Sequence, residues 1–248
     1  MTGMQIERAP AKLTVSLRIT GVRADGFHLI DAEMVTIDLA DELRFGDGDG
    51  LTMTVEPPAT GGLPVGTRDD NLVRRALRAV GRQARVEVRK RIPAGAGLGG
   101  GSADAAAVYR WAGRTSPADI IASAALGADV PFCIVGGRAR VTGIGEVIEP
   151  LAAEVRTFTL LIPPFGVSTP AVYRAWDDLG GPIGPGANDL EQAALRVEPR
   201  LAPWRDRLGD ATGRAPVLAG SGSTWFVPGG FPGVDRLVVT TTITTTNA

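Results

Sequence analysis

The most constraining feature of this sequence is a glycine-rich stretch at residues 92–106, Ile-Pro-Ala-Gly-Ala-Gly-Leu-Gly-Gly-Gly-Ser-Ala-Asp-Ala-Ala. Five of the ten residues from Pro93 to Ser102 are glycine, and alanines that favour helix follow. Ser102 is a suitable N-cap and Asp104 suits the positive end of a helix dipole, so the sequence predicts a helix that begins at Ser102. Because N–H groups leading into a helix N-terminus bind anions, the stretch predicts a phosphate-binding loop rather than a flexible turn.

Two familiar phosphate-binding loops do not match this stretch. A P-loop requires a lysine next to Ser or Thr, and the sequence has no lysine after Lys90. Residues 95–100 have the form G-x-G-x-x-G, but a dinucleotide-binding fold also needs an acidic residue about 20 positions on, near a strand end. The acidic residue at that distance, Asp119, falls in a predicted helix. The loop is therefore of another type.

Composition limits the classes of protein that the chain can belong to. Its 248 residues suffice for a large core, as one domain or two lobes. A net charge of −1 argues against a broad nucleic-acid surface, which needs many Lys and Arg contacts. The single cysteine, Cys133, excludes an internal disulfide and a cysteine-based metal cluster. No apolar run approaches the roughly 18 residues of a membrane span. We expect a cytoplasmic enzyme or binding protein with no membrane or nucleic-acid partner.

The predicted elements give a mixed chain with strands first, then helices around the loop, then both. Alternating polarity predicts strands at residues 11–19, 30–39, 42–45, 51–55, 84–90, 138–142, 147–148, 158–162, 217–218, 225–227 and 236–241. Capping residues and helical spacing predict helices at residues 71–81, 102–112 and 116–126, and from residues 169 and 188. We predict an α+β fold with a boundary near residues 152–156, which separates domains 1–153 and 154–248, and a chain end that completes a sheet. The Thr-rich residues 240–246 favour β structure.

Three side chains are candidates for chemistry, each with a structural alternative. Lys12 lies on the polar face of the first strand, either solvated or as a cation that holds a hydroxyl or carboxylate. Asp129 follows a predicted helix, either as a turn acceptor or as a general base that faces the glycine loop. His28 is the only histidine in the chain. It is either structural or, with Phe27, part of a site for a flat heterocycle.

In this order, the motifs resemble the GHMP superfamily of small-molecule kinases, named for galactokinase, homoserine kinase, mevalonate kinase and phosphomevalonate kinase. The resemblance is carried by residues 9–13, 21–28, 70–72, 92–106, 126–131, 143–146, 166–170, 188–190 and 220–222. Residues 93–106 and 127–131 are typical of the whole superfamily. Residues 23–28, Arg-Ala-Asp-Gly-Phe-His, are similar to the members that phosphorylate the 2-hydroxyl of a cytidine-diphosphate-linked methylerythritol in the non-mevalonate isoprenoid pathway.

This resemblance implies a two-lobe fold with the substrate in the cleft between the lobes. Residues 1–153 would form a ribosomal-S5-like ATP-binding lobe, and residues 154–248 a ferredoxin-like lobe. ATP phosphates would lie on the glycine loop, with Mg²⁺ neutralising them. The implied nucleotide-binding residues are Pro93, Gly95, Gly97, Leu98, Gly99, Gly100, Gly101, Ser102 and Ala103.

The resemblance also implies roles around the acceptor hydroxyl. Asp129 would activate it, and Lys12 would place the reacting groups. Gly220 and Ser221 belong to a third motif that closes near the phosphates. Thr14 would lie in the substrate site, where the family commonly has Asn.

For the cytosine base, the resemblance implies a hydrogen bond to His28 and stacking between Phe27, where the family commonly has Tyr, and Tyr173. These side chains favour a cytidyl substrate, because mevalonate and homoserine carry no base to stack.

Another kinase of the superfamily, similar to mevalonate or homoserine kinase, is the nearest alternative. A nucleotide-binding module without catalysis is a second. A purely structural α/β protein is the third, and it leaves the glycine loop unexplained.

Overall fold

The computed structural model describes residues 4–58, 63–181, 183–184 and 186–242. Its framework is a long antiparallel pair, β1 (Gln5–Val22) and β2 (His28–Gly46). The predicted strand is confirmed in β1, where Leu13, Leu17 and Ile19 are buried. The predicted alternation holds only in part, because Lys12 and Thr14 on the predicted polar face are buried as well. The sequence predicted two strands where β2 is one. It continues through Asp41 because this residue pairs with β1 and its buried carboxylate accepts backbone N–H groups from the neighbouring segment.

A six-stranded sheet is built on this pair. Its further strands are β3 (Gly50–Val55), β4 (Arg85–Lys90), β5 (Arg138–Gly143) and β6 (Val147–Pro150). The order is β3-β4-β2-β5-β6, with β1 also pairing with β2. Only the β3–β4 pairing is parallel among the pairings of the described strands. A parallel pair needs a crossover, and the predicted helix that begins after Asn71 lies in this connection.

Four helices follow in this half of the chain: α1 (Leu72–Ala79), α2 (Gly100–Trp111), α3 (Pro117–Ser123) and α4 (Val130–Val135). Eight of the twelve residues of α2 are buried, among them its four alanines. The prediction that this helix begins at Ser102 is wrong by two residues, because Gly99 is the N-cap and Ser102 lies in the first turn. The sequence analysis also missed α4, a short apolar helix.

The rest of the chain forms a second, antiparallel sheet with its own helices. Its elements are β7 (Thr157–Leu161), α5 (Thr169–Asp178), α6 (Glu191–Val197), α7 (Leu201–Thr212), β8 (Val217–Leu218), β9 (Trp225–Pro228) and β10 (Arg236–Thr240). The strand order is β10-β7-β9-β8, so the end of the chain completes a sheet, as predicted. Helix α7 was not predicted. Of the Thr-rich segment, residues 243–246 lie outside the described residues.

Backbone hydrogen bonds join the two halves of the chain at two places. Ile37 of β2 forms a bridge with Thr241, and the Thr242 N–H donates to the Thr36 carbonyl at 2.9 Å. Leu17 of β1 bridges to Asn188. The boundary predicted at residues 153/154 falls between β6 and β7 and stays a prediction. Across the described ranges, no helix has the length and apolar character needed to cross a membrane.

Candidate active site

The glycine-rich loop connects β4 to α2 and is packed tightly against the protein itself. Gly97 has φ +77°, and a Cβ there would lie 2.1 Å from the Ala219 carbonyl oxygen. Gly99 has φ +69°, and a Cβ there would lie 2.8 Å from Cγ of Lys12. Both positions require glycine on two grounds, a left-handed backbone and the absence of space. The loop can therefore run between Lys12 and the turn after β8.

The N-terminus of α2 is open to a ligand. Gly99 provides no side chain to cap it, and the first N–H groups of a helix have no intrahelical partner. These N–H groups and the helix dipole produce a positive end that suits phosphate. Gly99, Gly100, Gly101 and Ser102 all line a cleft of about 570 Å³. The predicted phosphate loop is therefore next to a cavity of ligand size.

Most of the residues predicted for the site line this one cleft. They are Lys12, Thr14, Pro93, Gly95, Gly97, Gly99, Gly100, Gly101, Ser102, Asp129, Tyr173, Gly220 and Ser221. Leu98 and Ala103 instead point into the core and are buried. Phe27 and His28 lie outside the cleft lining. The structure thus brings the predicted catalytic and phosphate-binding residues together and leaves the predicted base-binding pair to one side.

Lys12 is buried, so it is not the solvated strand lysine that the sequence left open. Only 5% of the residue is exposed. Its Nζ lies 3.4 Å from Asp129 Oδ2 and donates to Thr14 Oγ1 at 2.9 Å. Thr14, which departs from the family's usual Asn, therefore uses its hydroxyl to hold the lysine. The backbone N–H of Lys12 donates to the Leu98 carbonyl at 3.1 Å, which ties β1 to the glycine loop.

Asp129 is placed by the start of α4 and keeps its carboxylate free of the helix backbone. It is the N-cap residue of α4, yet its side chain makes no capping hydrogen bond. Instead it faces Lys12 with 31% of the side chain exposed, against 6% for the lysine. A carboxylate that is partly open to the cleft and held by a buried ammonium can accept a proton from a bound hydroxyl.

The predicted base-binding residues form a small aromatic group beside the cleft. His28 Nε2 lies 2.7 Å from Asp177 Oδ1, and its ring centroid lies 4.7 Å from that of Tyr173. Trp176 contacts the same ring edge-on at 5.4 Å. Phe27 is 56% exposed. Burial, with the Asp129 charge adding to it, raises the pKa of Tyr173, so this phenol stays neutral.

The third glycine motif is held by the buried amide of Asn188, which the sequence analysis gave as a helix start and as part of a family motif but to which it assigned no role in the site. Asn188 Nδ2 donates to the carbonyls of Leu218 and Gly220, at 2.8 and 2.6 Å. Next to this, the hydroxyls of Thr169 and Ser221 are 2.7 Å apart. A Cβ on Gly220 would lie 3.3 Å from Lys12 Nζ. The motif is thus packed against Lys12.

A second buried charge cluster was missed by the sequence analysis. Lys90 Nζ donates to Asp41 Oδ2 and, at 2.7 Å, to Asp104 Oδ2. The expectation that Asp104 serves the helix dipole in the first turn is wrong, since it lies beyond that turn and is buried against Lys90. The only signal in the sequence was the scarcity of lysine, with Lys12 and Lys90 as its two examples.

Comparison with known proteins agrees with this geometry. Residues 71–137 match the family model of the GHMP kinases N terminal domain. The chain is 38% identical over 239 residues to 4-diphosphocytidyl-2-C-methyl-D-erythritol kinase of Paracoccus denitrificans (strain Pd 1222), covering 89% of this chain and 85% of the relative. The enzyme of the same name from Cereibacter sphaeroides (strain ATCC 17025 / ATH 2.4.3) is 37% identical over 243 residues, with 88% and 87% covered.

Solved structures place the fold in the same group. A crystal structure of 4-(cytidine 5'-diphospho)-2C-methyl-D-erythritol kinase superposes with a TM-score of 0.72 at 32% identity, covering 96% of this chain and 99% of the other. Mevalonate kinase of L. major, at 12% identity and TM-score 0.63, covers 98% and 97% and shows the shared fold alone. The fold and the cleft are those of a GHMP-type small-molecule kinase. Within that class, the chain belongs to the family of 4-diphosphocytidyl-2-C-methyl-D-erythritol kinases.

Proposed function

We propose that this protein transfers the γ-phosphoryl group of ATP to the 2-hydroxyl of 4-diphosphocytidyl-2-C-methyl-D-erythritol. Membership of the family supports the substrate and the reaction. The observation that carries the chemistry is the pairing of Lys12 with Asp129 in the cleft that the N-terminus of α2 also lines. A phosphate donor and a hydroxyl acceptor can therefore meet in one cavity.

The glycine loop and the start of α2 would bind the ATP phosphates. Phosphoryl transfer depends mainly on positioning and on neutralising the charge of the phosphates. Backbone N–H groups of residues 99–102 supply part of this without a reorganisation cost, since packing fixes the loop. The described residues contain no group of three or more His, Cys, Asp or Glu that could hold a metal. Mg²⁺ bound together with ATP would supply further neutralisation of the phosphate charge.

Asp129 would act on the acceptor. Its partly exposed carboxylate can accept the proton of the 2-hydroxyl as the oxygen attacks phosphorus. Lys12 would hold this carboxylate and the incoming phosphoryl oxygens in one place, and its burial strengthens both interactions. Thr14 fixes the lysine from the other side.

His28 and Tyr173 would recognise the cytosine. With Nε2 hydrogen-bonded to the Asp177 carboxylate, a neutral imidazole keeps its proton on Nε2 and leaves Nδ1 as an acceptor. An acceptor suits the exocyclic amino group of cytosine. Tyr173 also lines the cleft, so it connects the base site to the catalytic pair. Phe27, which is exposed on the loop after β1, is free to close over the base.

We propose in addition that residues 1–153 and 154–248 act as two lobes and that the enzyme works in the cytoplasm, where ATP is supplied.

Coupled ADP release with ATP, Mg²⁺ and the cytidyl substrate tests the proposed reaction, with mevalonate and homoserine as controls. Turnover with the cytidyl compound alone is the expected result. Turnover with a control instead would favour a different kinase of the superfamily. ATP binding without any turnover would favour the non-catalytic alternative.

A further inference from the structure

The cluster of Lys90, Asp41 and Asp104 lies directly behind the start of α2 and has no part in the proposed phosphoryl transfer. All three residues are at most 4% exposed. The single ammonium group bridges the two carboxylates, which come from different elements: Asp41 from β2 and Asp104 from α2. Lys90, the last residue of β4, thus connects the six-stranded sheet to the helix.

The cluster also holds the glycine loop in place. Asp41 Oδ1 accepts the backbone N–H groups of Arg91 and Ile92, at 2.5 and 2.9 Å, where β4 ends and the loop begins. A Cβ on Gly100 would lie 3.3 Å from Lys90 Nζ, so the ammonium is packed against the first turn of α2. Both ends of the glycine loop therefore contact the cluster of Lys90, Asp41 and Asp104.

The charges of this cluster do not balance when all three groups are ionised. Two carboxylates and one ammonium leave one negative charge on side chains that are almost entirely buried. Asp104 Oδ1 is buried without a hydrogen-bond partner among the described residues. An unpartnered carboxylate oxygen in such a place is costly, and one proton removes the cost. Burial accordingly raises the pKa of Asp104 to about 7, the Lys90 charge opposes this shift, and Asp41 adds to it.

The titratable groups around Asp104 are Lys90, Asp41 and, from α4, Cys133. Burial disfavours the ammonium of Lys90, but the charges of Asp104 and Asp41 outweigh this and raise its pKa. From α4, the Cys133 thiol faces the carboxylate, and burial raises the pKa of that thiol to about 12. In the parts of β1 and α1 that pack on α2, no charged group shifts the Asp104 pKa.

We propose that Asp104 takes up one proton from solvent when a nucleoside polyphosphate binds at the N-terminus of α2, so that the cluster beneath the ligand becomes neutral. The inference rests on the proposed nucleotide site. Asp104 and Lys90 line the same cleft as residues 99–102, one turn along the same helix. The negative charges of a bound phosphate and of the Asp104 carboxylate, about one helical turn apart, would repel each other strongly where water is largely excluded. Asp104 is thus a positioning residue whose protonation state couples the loop to its ligand.

Calorimetric titration with Mg·AMP-PNP in two buffers of different ionisation enthalpy measures the proton count directly. At a pH of about 7.5, we expect the wild type to take up about half a proton per ligand bound. Asp104→Asn, which keeps the shape and removes the charge, should bind the ligand without this uptake. Asp210→Asn changes an exposed carboxylate on α7 and should behave as the wild type does.

Equal proton counts in the wild type and Asp104→Asn would overturn the inference and leave nucleotide binding intact. Failure of the wild type to bind Mg·AMP-PNP would instead overturn the proposed function. A second measurement needs no variant: the Kd of the wild type for Mg·AMP-PNP should rise about tenfold between about pH 6.5 and 9. A Kd that stays constant over this range would also sink the idea.

Discussion

The two lysines of this chain lie on opposite sides of one glycine loop, and their surroundings differ. Lys12 faces one carboxylate that is 31% exposed, whereas Lys90 faces two that are sealed from solvent. The first pair is balanced in charge and open to the cleft, so a substrate can exchange contacts and a proton with it. The second is closed and carries excess negative charge, so it supports the loop. Accessibility distinguishes the ion pair proposed for catalysis from the one that supports the loop.

Among the changes that test this comparison, Asp129→Asn should have the largest effect, and the effect should be on turnover. Because only the proton acceptor is lost, we expect kcat to fall by roughly 10²–10⁴-fold. The thermal midpoint should stay close to that of the wild type, because the side chain is partly exposed and makes no capping bond. Steady-state kinetics and thermal unfolding check both parts. A rate near that of the wild type would remove Asp129 from the mechanism.

Exchanging each lysine for methionine should affect stability and turnover to different extents. Lys90→Met leaves two buried carboxylates without their cation, and we expect the free energy of unfolding to fall by about 3–5 kcal/mol. Lys12→Met leaves one carboxylate that water can reach, so the loss should be about 1 kcal/mol while turnover is abolished. Urea unfolding and ADP release on both variants check this. Similar losses of stability would mean that the two pairs are not different in kind.

The pH dependence of the free energy of unfolding should show whether Asp104 carries the excess negative charge of the Lys90 cluster. Asp104 has a pKa of about 7 in the folded protein against 3.8 as its ordinary value. Between these values the folded state holds a proton that the unfolded state lacks, so wild-type stability falls as pH rises from about 4 to 7. Asp104→Asn should remove this loss and be more stable than the wild type by about 1–3 kcal/mol at pH near 8. Urea unfolding from pH near 4 to 8 measures it, with Asp210→Asn as the control. Identical slopes in both variants would contradict the prediction.

The smallest effect should come from the base site. His28→Ala removes the proposed hydrogen bond to the base, so we expect KM for the cytidyl substrate to rise about tenfold, with KM for ATP unchanged. Phe27→Leu, a neighbouring change that keeps the imidazole, should raise it less. Initial rates over a range of each substrate check this. An unaltered KM for the cytidyl substrate would count against the base site.

Local patterns predicted much of the fold. The alternation in β1, the capping Asn71 and the glycine loop each depend on neighbouring residues, and the structure confirms all three elements. The start of α2 was misplaced because its N-cap, Gly99, has no side-chain signal. Helix α7 was missed because Pro203 and Gly209 lie within it and weaken helical propensity. Packing stabilises it instead, with Leu208 buried in the core.

The catalytic pair and the buried cluster were not equally predictable. Lys12 and Asp129 were found from family motifs, since spacing alone left their roles open. The partners of Lys90 lie 49 and 14 residues away in the chain, at Asp41 and Asp104. No periodicity or motif connects residues at such separations, so this cluster required the folded structure.

The contact between the glycine loop and the turn after β8 has a consequence for motion. The N–H groups of Ser223 and Thr224 donate to the carbonyls of Gly95 and Ala96, at 3.2 and 3.1 Å, and Gly97 packs against Ala219. The glycine loop and the turn after β8 are thus held together as one rigid unit. Any movement of the rim on ligand binding is therefore expected elsewhere, and the amide protons of Ser223 and Thr224 should exchange slowly with deuterium even without ligand.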